Sequence, residues 1–180
     1  MILAAVLAAG NSSRFKRQKL IMMYKGKPLL QWPIDALRNL VLRRVLIVSR
    51  NLDLSTVDTA DFEIVVNPDA HLGLSTSVKL AVSQAKGYEG LLLLLGDMPK
   101  IDKVLVERVL STDRTRIVFP VHKGIKGFPV FLPSMYFEEV KTLTGDVGLR
   151  KIIAHHEDET MQFDGGEDCI FDVDTPGDFY

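Results

Sequence analysis

Two groups of charged residues stand at opposite ends of the chain. Between Asn11 and Lys27 there are six lysines and arginines and no acid. Arg14, Lys16, Arg17 and Lys19 crowd behind the small residues Ala8-Ala9-Gly10 and the polar run Asn11-Ser12-Ser13. From Ile152 to Tyr180 there are nine Asp or Glu and no Lys or Arg. A small-residue loop with exposed N–H groups and cations is suited to hold an anion, above all a phosphate chain, which Arg14 and Lys19 would neutralise. A further carboxylate, Asp97, follows the most apolar run of the chain, Leu91–Leu95, and a glycine. Such a carboxylate is a natural Mg²⁺ ligand, because Mg²⁺ takes one or two carboxylates together with phosphate oxygens. The basic and acidic ends then read as complementary halves of one phosphate-and-metal site. Charge alone equally describes two solvated surface segments, and Asp97 alone equally describes a turn or cap.

Residues so far apart meet only if the fold gathers them, and a parallel sheet does so at the carboxyl ends of its strands. The hydrophobic pattern predicts strands at Ile2–Leu7, Val45–Val48, Phe62–Val66, Leu91–Leu95 and Ile117–Val121, as short apolar runs. Leu20–Met23 reads as a short extended or turn segment. Helical spacing of Leu30, Ile34, Leu37 and Val41 predicts a helix over about Leu29–Leu40, with Pro33 awkward in its first turns. A short helix is expected within Asn51–Asp61, one from Ser75 or Thr76 to Ala85, and one over Asp102–Leu110. The alternation of strands and helices with short links predicts an α/β fold, a three-layer, doubly wound, mostly parallel sheet. Beyond it His122–Leu132 reads as a small antiparallel hairpin around Gly124 and Gly127. Met135–Leu143 and Val147–His155 read as helices, Met161–Phe163 and Ile170–Val173 as short strands, and Thr175-Pro176 as a helix start. Three features then fall at strand ends: the loop after the first strand, Asn67-Pro68-Asp69 after the third, and Gly96-Asp97 after the central one.

The totals exclude several classes of function. The 180 residues suit one domain, 47% of them hydrophobic with a mean hydropathy of +0.13, which is the composition of a globular chain. A net charge of −1 gives no general attraction to nucleic acid or to a membrane surface. Leu91–Leu95 is far too short to span a bilayer, and Met1–Ala9 lacks the basic start of a signal peptide. The single cysteine, Cys169, rules out an internal disulfide and fits a reducing compartment, so a cytoplasmic location is expected. There is no G-x-x-x-x-G-K-[ST] phosphate loop, no dinucleotide glycine fingerprint and no G-x-S-x-G elbow. The adjacent histidines of His155-His156-Glu157 point to different sides of a helix, which disfavours a metal pair.

Specific motifs run along the whole chain in order. Leu7-Ala8-Ala9-Gly10-x-Ser12-x-Arg14 with Lys19 is followed by Gly26-Lys27-Pro28-Leu29-Leu30, N-P-D at Asn67, and G-L-S-T-S at Gly73–Ser77. L-G-D-M-P at Leu95–Pro99, G-F-P-V-F at Gly127–Phe131, G-D-V-G-L-R at Gly145–Arg150 and D-V-D-T-P-G-D at Asp172–Asp178 complete the series. The set resembles the molybdenum-cofactor nucleotidyltransferases, and within them the cytidylyltransferase branch, because Ala9 stands where the guanylyl enzymes carry glycine. The resemblance implies a Rossmann-like nucleotidyltransferase domain over residues 1–180, with a nucleotide-binding half of about 1–100 and an acceptor-binding half of about 101–180.

It also implies roles. Leu7, Ala8, Ala9, Gly10, Arg14 and Lys19 would hold the triphosphate, and Asn67, Gly73 and Ser75 would complete the nucleotide site. Asp97 would bind Mg²⁺, completed by Asp172 or Asp174, with Arg14, Lys19 and Asp97 as the catalytic set. Phe128, Gly145, Asp146 and Arg150 match the acceptor-side motifs. The expected partners are CTP, or GTP, and a phosphorylated acceptor such as molybdopterin, with transient contact to molybdoenzymes or their chaperones. The expected reaction is attack of the acceptor's phosphate on the α-phosphorus of CTP, releasing pyrophosphate. Two departures stand out: Lys16 replaces a glycine of the family pattern, and Phe128 replaces the histidine of its G-H-P-V motif.

Overall fold

The computed structural model of the chain describes residues 1–10 and 18–179. Arg14, Lys16 and Arg17 lie outside the described residues. Strand β1 (Ile2–Ala8) is buried along its whole length, as a central strand covered on both faces must be. It pairs in parallel with β4 (Arg43–Ser49) on one side and β6 (Gly90–Leu95) on the other. β5 (Glu63–Asn67) extends the sheet beyond β4. On the far side β9 (Val130–Pro133) runs antiparallel between β6 and β7 (Ile117–His122), and β10 (Thr160–Asp164) pairs parallel to β7. The order is therefore β10-β7-β9-β6-β1-β4-β5, with β8 (Ile125–Lys126) hairpinned onto β7. Lys123 and Gly124 form that two-residue turn with φ of 49° and 79°, the left-handed pair that a tight hairpin of native twist requires. A separate pair, β2 (Met23–Tyr24) and β3 (Lys27–Pro28), is antiparallel.

Alternation along the central strands sends side chains to two cores. Ala4, Val6, Leu46, Leu92 and Leu94 face one layer, with α1 (Gln31–Ala36) and α3 (Lys103–Leu110). Leu3, Ala5, Val45, Ile47, Leu91 and Leu93 face the other, with α2 (Leu74–Gln84), α4 (Phe137–Val140) and α5 (Arg150–His155). The fold is the expected doubly wound, mostly parallel α/β sheet in three layers. The chain passes from β1 to β4 and β5, then returns to the other side of β1 as β6. This reversal opens a crevice at the carboxyl ends of β1 and β6, where such sheets bind ligands.

Several expected elements differ. No helix forms over Asn51–Asp61. There the Asp53 carboxylate accepts from the Ser55 N–H, and Asp58 from the Ala60 N–H, so Asx-type turns replace the helical ladder. Ile170–Val173 is not a strand. It is an extended strap whose Val173 N–H donates to the Asp97 carbonyl (3.0 Å). The first helix ends at Ala36, and Val41 is 96% exposed rather than packed. Met135–Leu143 and Val147–His155 shrink to α4, after a 3-10 turn at Ser134–Tyr136, and to α5. The segment after Thr175 is one 3-10 turn, Pro176–Phe179. Its cap is Asp178, whose carboxylate accepts from the Thr175 N–H and hydroxyl and from the Asp174 N–H.

Candidate active site

The crevice at the ends of β1 and β6 is a cleft of about 390 Å³. Leu7, Ala9 and Gly10 line it from the end of β1, and Leu95 and Asp97 from the end of β6. Gly96 lets these two ends meet. Its N–H donates to the Leu7 carbonyl at 2.9 Å, and a Cβ there would stand 3.0 Å from that oxygen and from Leu30 Cδ1. A side chain at this position would push Asp97 away from the mouth of β1.

Lys19 enters from a 3-10 turn, Lys19–Ile21, and is buried. Its ammonium donates to Asp97 Oδ2 at 2.9 Å and to the Val173 carbonyl at 2.6 Å, and lies 4.0 Å from Asp174 Oδ1. The strap thus grips Asp97 twice, through its Val173 N–H and through Lys19. In extended chain, residues two apart share a side. Val173 is fully buried, so Asp172 and Asp174 both turn outward toward Asp97. One carboxylate oxygen from each of Asp97, Asp172 and Asp174 lies within 4.8 Å of the others. Partial burial pushes the Asp172 carboxyl above the usual range, and the charges of Asp174 and Asp97 add to this. A hard, oxygen-only donor set held at this spacing against its own repulsion fits a divalent cation such as Mg²⁺.

The other wall is built by two loops clasped together. Gly73 (φ +107°) precedes α2, and a Cβ on it would fall 2.4 Å from the Gly145 carbonyl carbon. The Ser75 N–H donates to the Gly145 carbonyl, and the Leu74 N–H to Asp146 Oδ1 at 3.3 Å. Asp146 therefore stands with Gly73, Leu74 and His71 on the wall of this cleft, not apart from it.

The remaining expected residues are placed differently. Asn67 is buried, and its amide donates to Thr76 Oγ1 and Ser77 Oγ at 2.9 Å each while its carbonyl oxygen accepts from the Asp69 N–H. It ties the end of β5 to the start of α2. Ser75 is buried beneath the same turn. Phe128 is packed at the junction of the two cores, its N–H donating to the Cys169 carbonyl, and Arg150 is exposed at the start of α5. Neither lines the cleft that holds Asp97. Arg14 lies outside the described residues. Sequence reasoning missed His71 and Leu74, and the Val173 carbonyl that holds Lys19, because a backbone acceptor leaves no mark in residue types.

A family model, the MobA-like NTP transferase domain, matches residues 4–160. The chain is 26% identical over 177 residues to the molybdenum cofactor cytidylyltransferase of Escherichia coli strain K12, across 97% of this chain and 91% of that one. It is also 26% identical over 147 residues to a probable molybdenum cofactor guanylyltransferase of Pyrococcus horikoshii, across 81% of this chain and 74% of that one. Among solved structures, an Rv0371c homologue from Mycobacterium sp. strain JC1 superimposes with a TM-score of 0.87 and 27% identity, across 99% of this chain and 92% of that one.

Proposed function

The chain belongs to the MobA-like NTP transferase family and is a nucleotidyltransferase, and from that premise we propose that it is a Mg²⁺-dependent CTP:molybdopterin cytidylyltransferase. The single observation that carries this reading is the junction of the Ala9-Gly10 loop with the Asp97, Asp172 and Asp174 carboxylates at the mouth of β1 and β6. The cytidylyl relative and Ala9 support the choice of base. Residues of about 1–100 supply most of the nucleotide side, and Asp146 joins it from the half of about 101–180, within one domain.

Asp97, Asp172 and Asp174 would hold the metal ion, and an ion bound there supplies charge withdrawal from the α-phosphate. The N–H groups around Ala9 and Gly10 cradle the triphosphate, and Arg14 and Lys19 balance the charge of the departing pyrophosphate. Gly73, Leu74 and Asp146 shape the wall beside the nucleoside. The acceptor phosphate has a second pKa of about 6 and is already ionised at neutral pH, so no side chain has to take a proton from it. The demand on the protein is alignment of two anions, and this accounts for a site built from carboxylates, cations and backbone donors.

The test is pyrophosphate release on mixing the protein with Mg²⁺, molybdopterin and either CTP or GTP, with thermal stabilisation by each nucleotide measured alongside. CTP is expected to support turnover and to raise Tm more than GTP. The guanylyl relative, at the same identity, favours GTP as the second reading. A preference for GTP establishes that reading, and no pyrophosphate with either nucleotide refutes both.

A further inference from the structure

Another cleft, of about 520 Å³, is walled by the β2–β3 hairpin, by α1 and by the segment that runs from Pro99 into α3. It shares no described residue with the crevice at the ends of β1 and β6. Its floor is apolar and aromatic, built from Tyr24, Trp32, Pro99 and Ile101. Trp32 Nε1 donates to the Tyr24 carbonyl at 3.1 Å, and the two rings meet edge to face with their centroids 6.0 Å apart. The rings are thereby fixed before anything binds. Rigid Tyr and Trp surfaces lose little entropy on contact, and such side chains anchor protein interfaces.

The rim is basic. Among the described residues four lysines, Lys25, Lys27, Lys100 and Lys103, surround the floor, against three aspartates. Each aspartate is already engaged. Asp35 accepts from Lys27 and Gln31, Asp102 accepts from the Leu105 N–H at the start of α3, and Asp168 lies 3.6 Å from Lys100. The lysines are less fully matched. Lys103 reaches only Glu107, one turn along α3, at 3.6 Å, with both side chains about half exposed, and such a pair holds little. Lys25 has no carboxylate within ion-pair distance among the described residues, and its ammonium stands 5.5 Å from the centre of the Tyr24 ring. It sits in the hairpin turn with Gly26 at φ of 45° and 91°, a left-handed position that favours Gly, Asn or Asp over lysine.

We propose that this cleft is a docking site for an acidic peptide segment of a partner protein. One aromatic or long aliphatic side chain of the segment packs on Trp32 and Tyr24, and its flanking carboxylates meet Lys25, Lys100 and Lys103. The three lysines come from three separate pieces of chain, the hairpin, the loop after β6 and α3. Cations spread in this way around an aromatic floor match carboxylates spaced along a peptide, and rim charges of this kind select the partner and speed its arrival. The Lys100 ammonium also lies 4.2 Å over the ring of Phe171, in the strap that carries Asp172. A partner seated on Lys100 therefore lies against the strap and leaves the nucleotide crevice free.

Trp32 is the only tryptophan of the chain, so its emission reports this cleft alone. The experiment titrates the full chain with a short synthetic peptide of glutamates around one phenylalanine and one leucine. The same peptide with lysines in place of the glutamates, and inorganic tripolyphosphate, are titrated beside it. The acidic peptide is expected to change the Trp32 emission and to saturate below about 1 mM. Lys25→Glu combined with Lys103→Glu is expected to raise its Kd at least about tenfold, and Lys25→Arg combined with Lys103→Arg to keep it within about twofold. Both positions are exposed, so Tm should shift by less than about 2 °C in either variant. Absence of an emission change with the acidic peptide, equal binding of the lysine peptide, or unchanged affinity in the glutamate variant overturns the proposal. Tripolyphosphate that displaces the peptide and gives the same emission change also overturns it, and assigns the cleft to a small anion.

Discussion

The Lys19 ammonium and the Asp97 carboxylate are 2.9 Å apart, with side chains only 11% and 25% exposed. The pair lies at the mouth of the crevice, and the same ammonium holds the strap through the Val173 carbonyl. Lys19 therefore offsets part of the repulsion among Asp97, Asp172 and Asp174. Lys19→Ala is expected to lower stability by about 1–2 kcal/mol, below the roughly 3–5 kcal/mol of a fully buried pair because Asp97 is partly solvated. A divalent ion would substitute for the lost cation, so Mg²⁺ should raise Tm more in the variant than in the wild type. Thermal melts with and without Mg²⁺ check this, and an equal or smaller gain in the variant contradicts it.

Asp97→Ala removes the carboxylate that Lys19 holds at the end of β6. Turnover is expected to fall at least ~10²-fold through lost positioning of charge at the α-phosphate. Circular dichroism should report a folded chain, since the strap is also held through the Asp97 main chain, which the substitution keeps. Near-normal pyrophosphate release would remove Asp97 from the catalytic set.

The surroundings of Asp172 disfavour its ionised form. Its folded-state pKa is raised, first by burial and then by Asp174 and Asp97. A carboxyl whose folded pKa exceeds its unfolded value leaves the folded state binding more protons between the two, so its ionisation lowers stability as pH rises through that window. The penalty is absent below about pH 4, the unfolded carboxylate range, and complete above the raised folded value. Asp172→Asn should therefore raise Tm at pH 7 without metal, lose that advantage near pH 3.5 to 4, and weaken Mg²⁺ binding. Melts across pH with a parallel Mg²⁺ titration separate the two effects. A variant less stable than wild type at pH 7 sinks the repulsion argument.

The parts of the fold legible in the sequence were those with one dominant force. Ile2–Leu7 and Leu91–Leu95 are apolar on both faces, and only a central strand buries them. Asn51–Asp61 was misread because local aspartate-to-backbone bonds outcompete a helix, and residue counts do not record that competition. Ile170–Val173 has strand composition, but its partner is one carbonyl of Asp97 rather than a neighbouring strand. Gly145-Asp146 could be recognised as a motif, yet its place against Gly73 depends on how far the loop after α4 travels, and no local pattern encodes that distance.

Gly73 is where backbone conformation and close approach coincide. Its φ is +107°, and a Cβ would overlap the Gly145 carbonyl group. Gly73→Ala must therefore strain the turn and part the two loops, destabilising by more than the roughly 1 kcal/mol that a compatible Gly-to-Ala change gains. The expected result is a lower Tm together with weaker nucleotide binding, because Leu74 and Asp146 on that wall move apart. Gly177→Ala is the control: among the described residues the nearest atom to its Cβ position is Thr175 Oγ1 at 3.6 Å, an ordinary contact. Calorimetric titration with CTP distinguishes them, and equal stability of the Gly73 variant and wild type would contradict the close approach.

His155 and His156, expected on different sides of a helix, both reach Glu139, because α5 ends at His155 and His156 leaves the helix with φ −122°. Both rings meet the Glu139 carboxylate of α4, His156 Nε2 at 2.6 Å and His155 Nδ1 at 3.0 Å. Glu159 accepts from the Tyr136 hydroxyl, and that phenol is pushed up to about 12, chiefly by desolvation and then by the Glu159 bond. The Glu139 carboxyl is held below its usual range, first by the His155 bond and then by that of His156, and His156 is raised, first by Glu139. Stability from a raised histidine is complete below its unfolded pKa and lost as pH rises through the folded value. Stability from a depressed carboxylate is complete above its unfolded pKa and lost as pH falls through the folded value. Both contributions coexist between about pH 4.5 and 6.5. His156→Ala should therefore cost most near pH 5.5, by no more than about 1 kcal/mol for so solvated a pair, and progressively less above pH 7.5. Urea unfolding of the wild type and variant at several pH values measures the difference, and a gap that does not depend on pH would rule out ionisation of His156 as its source.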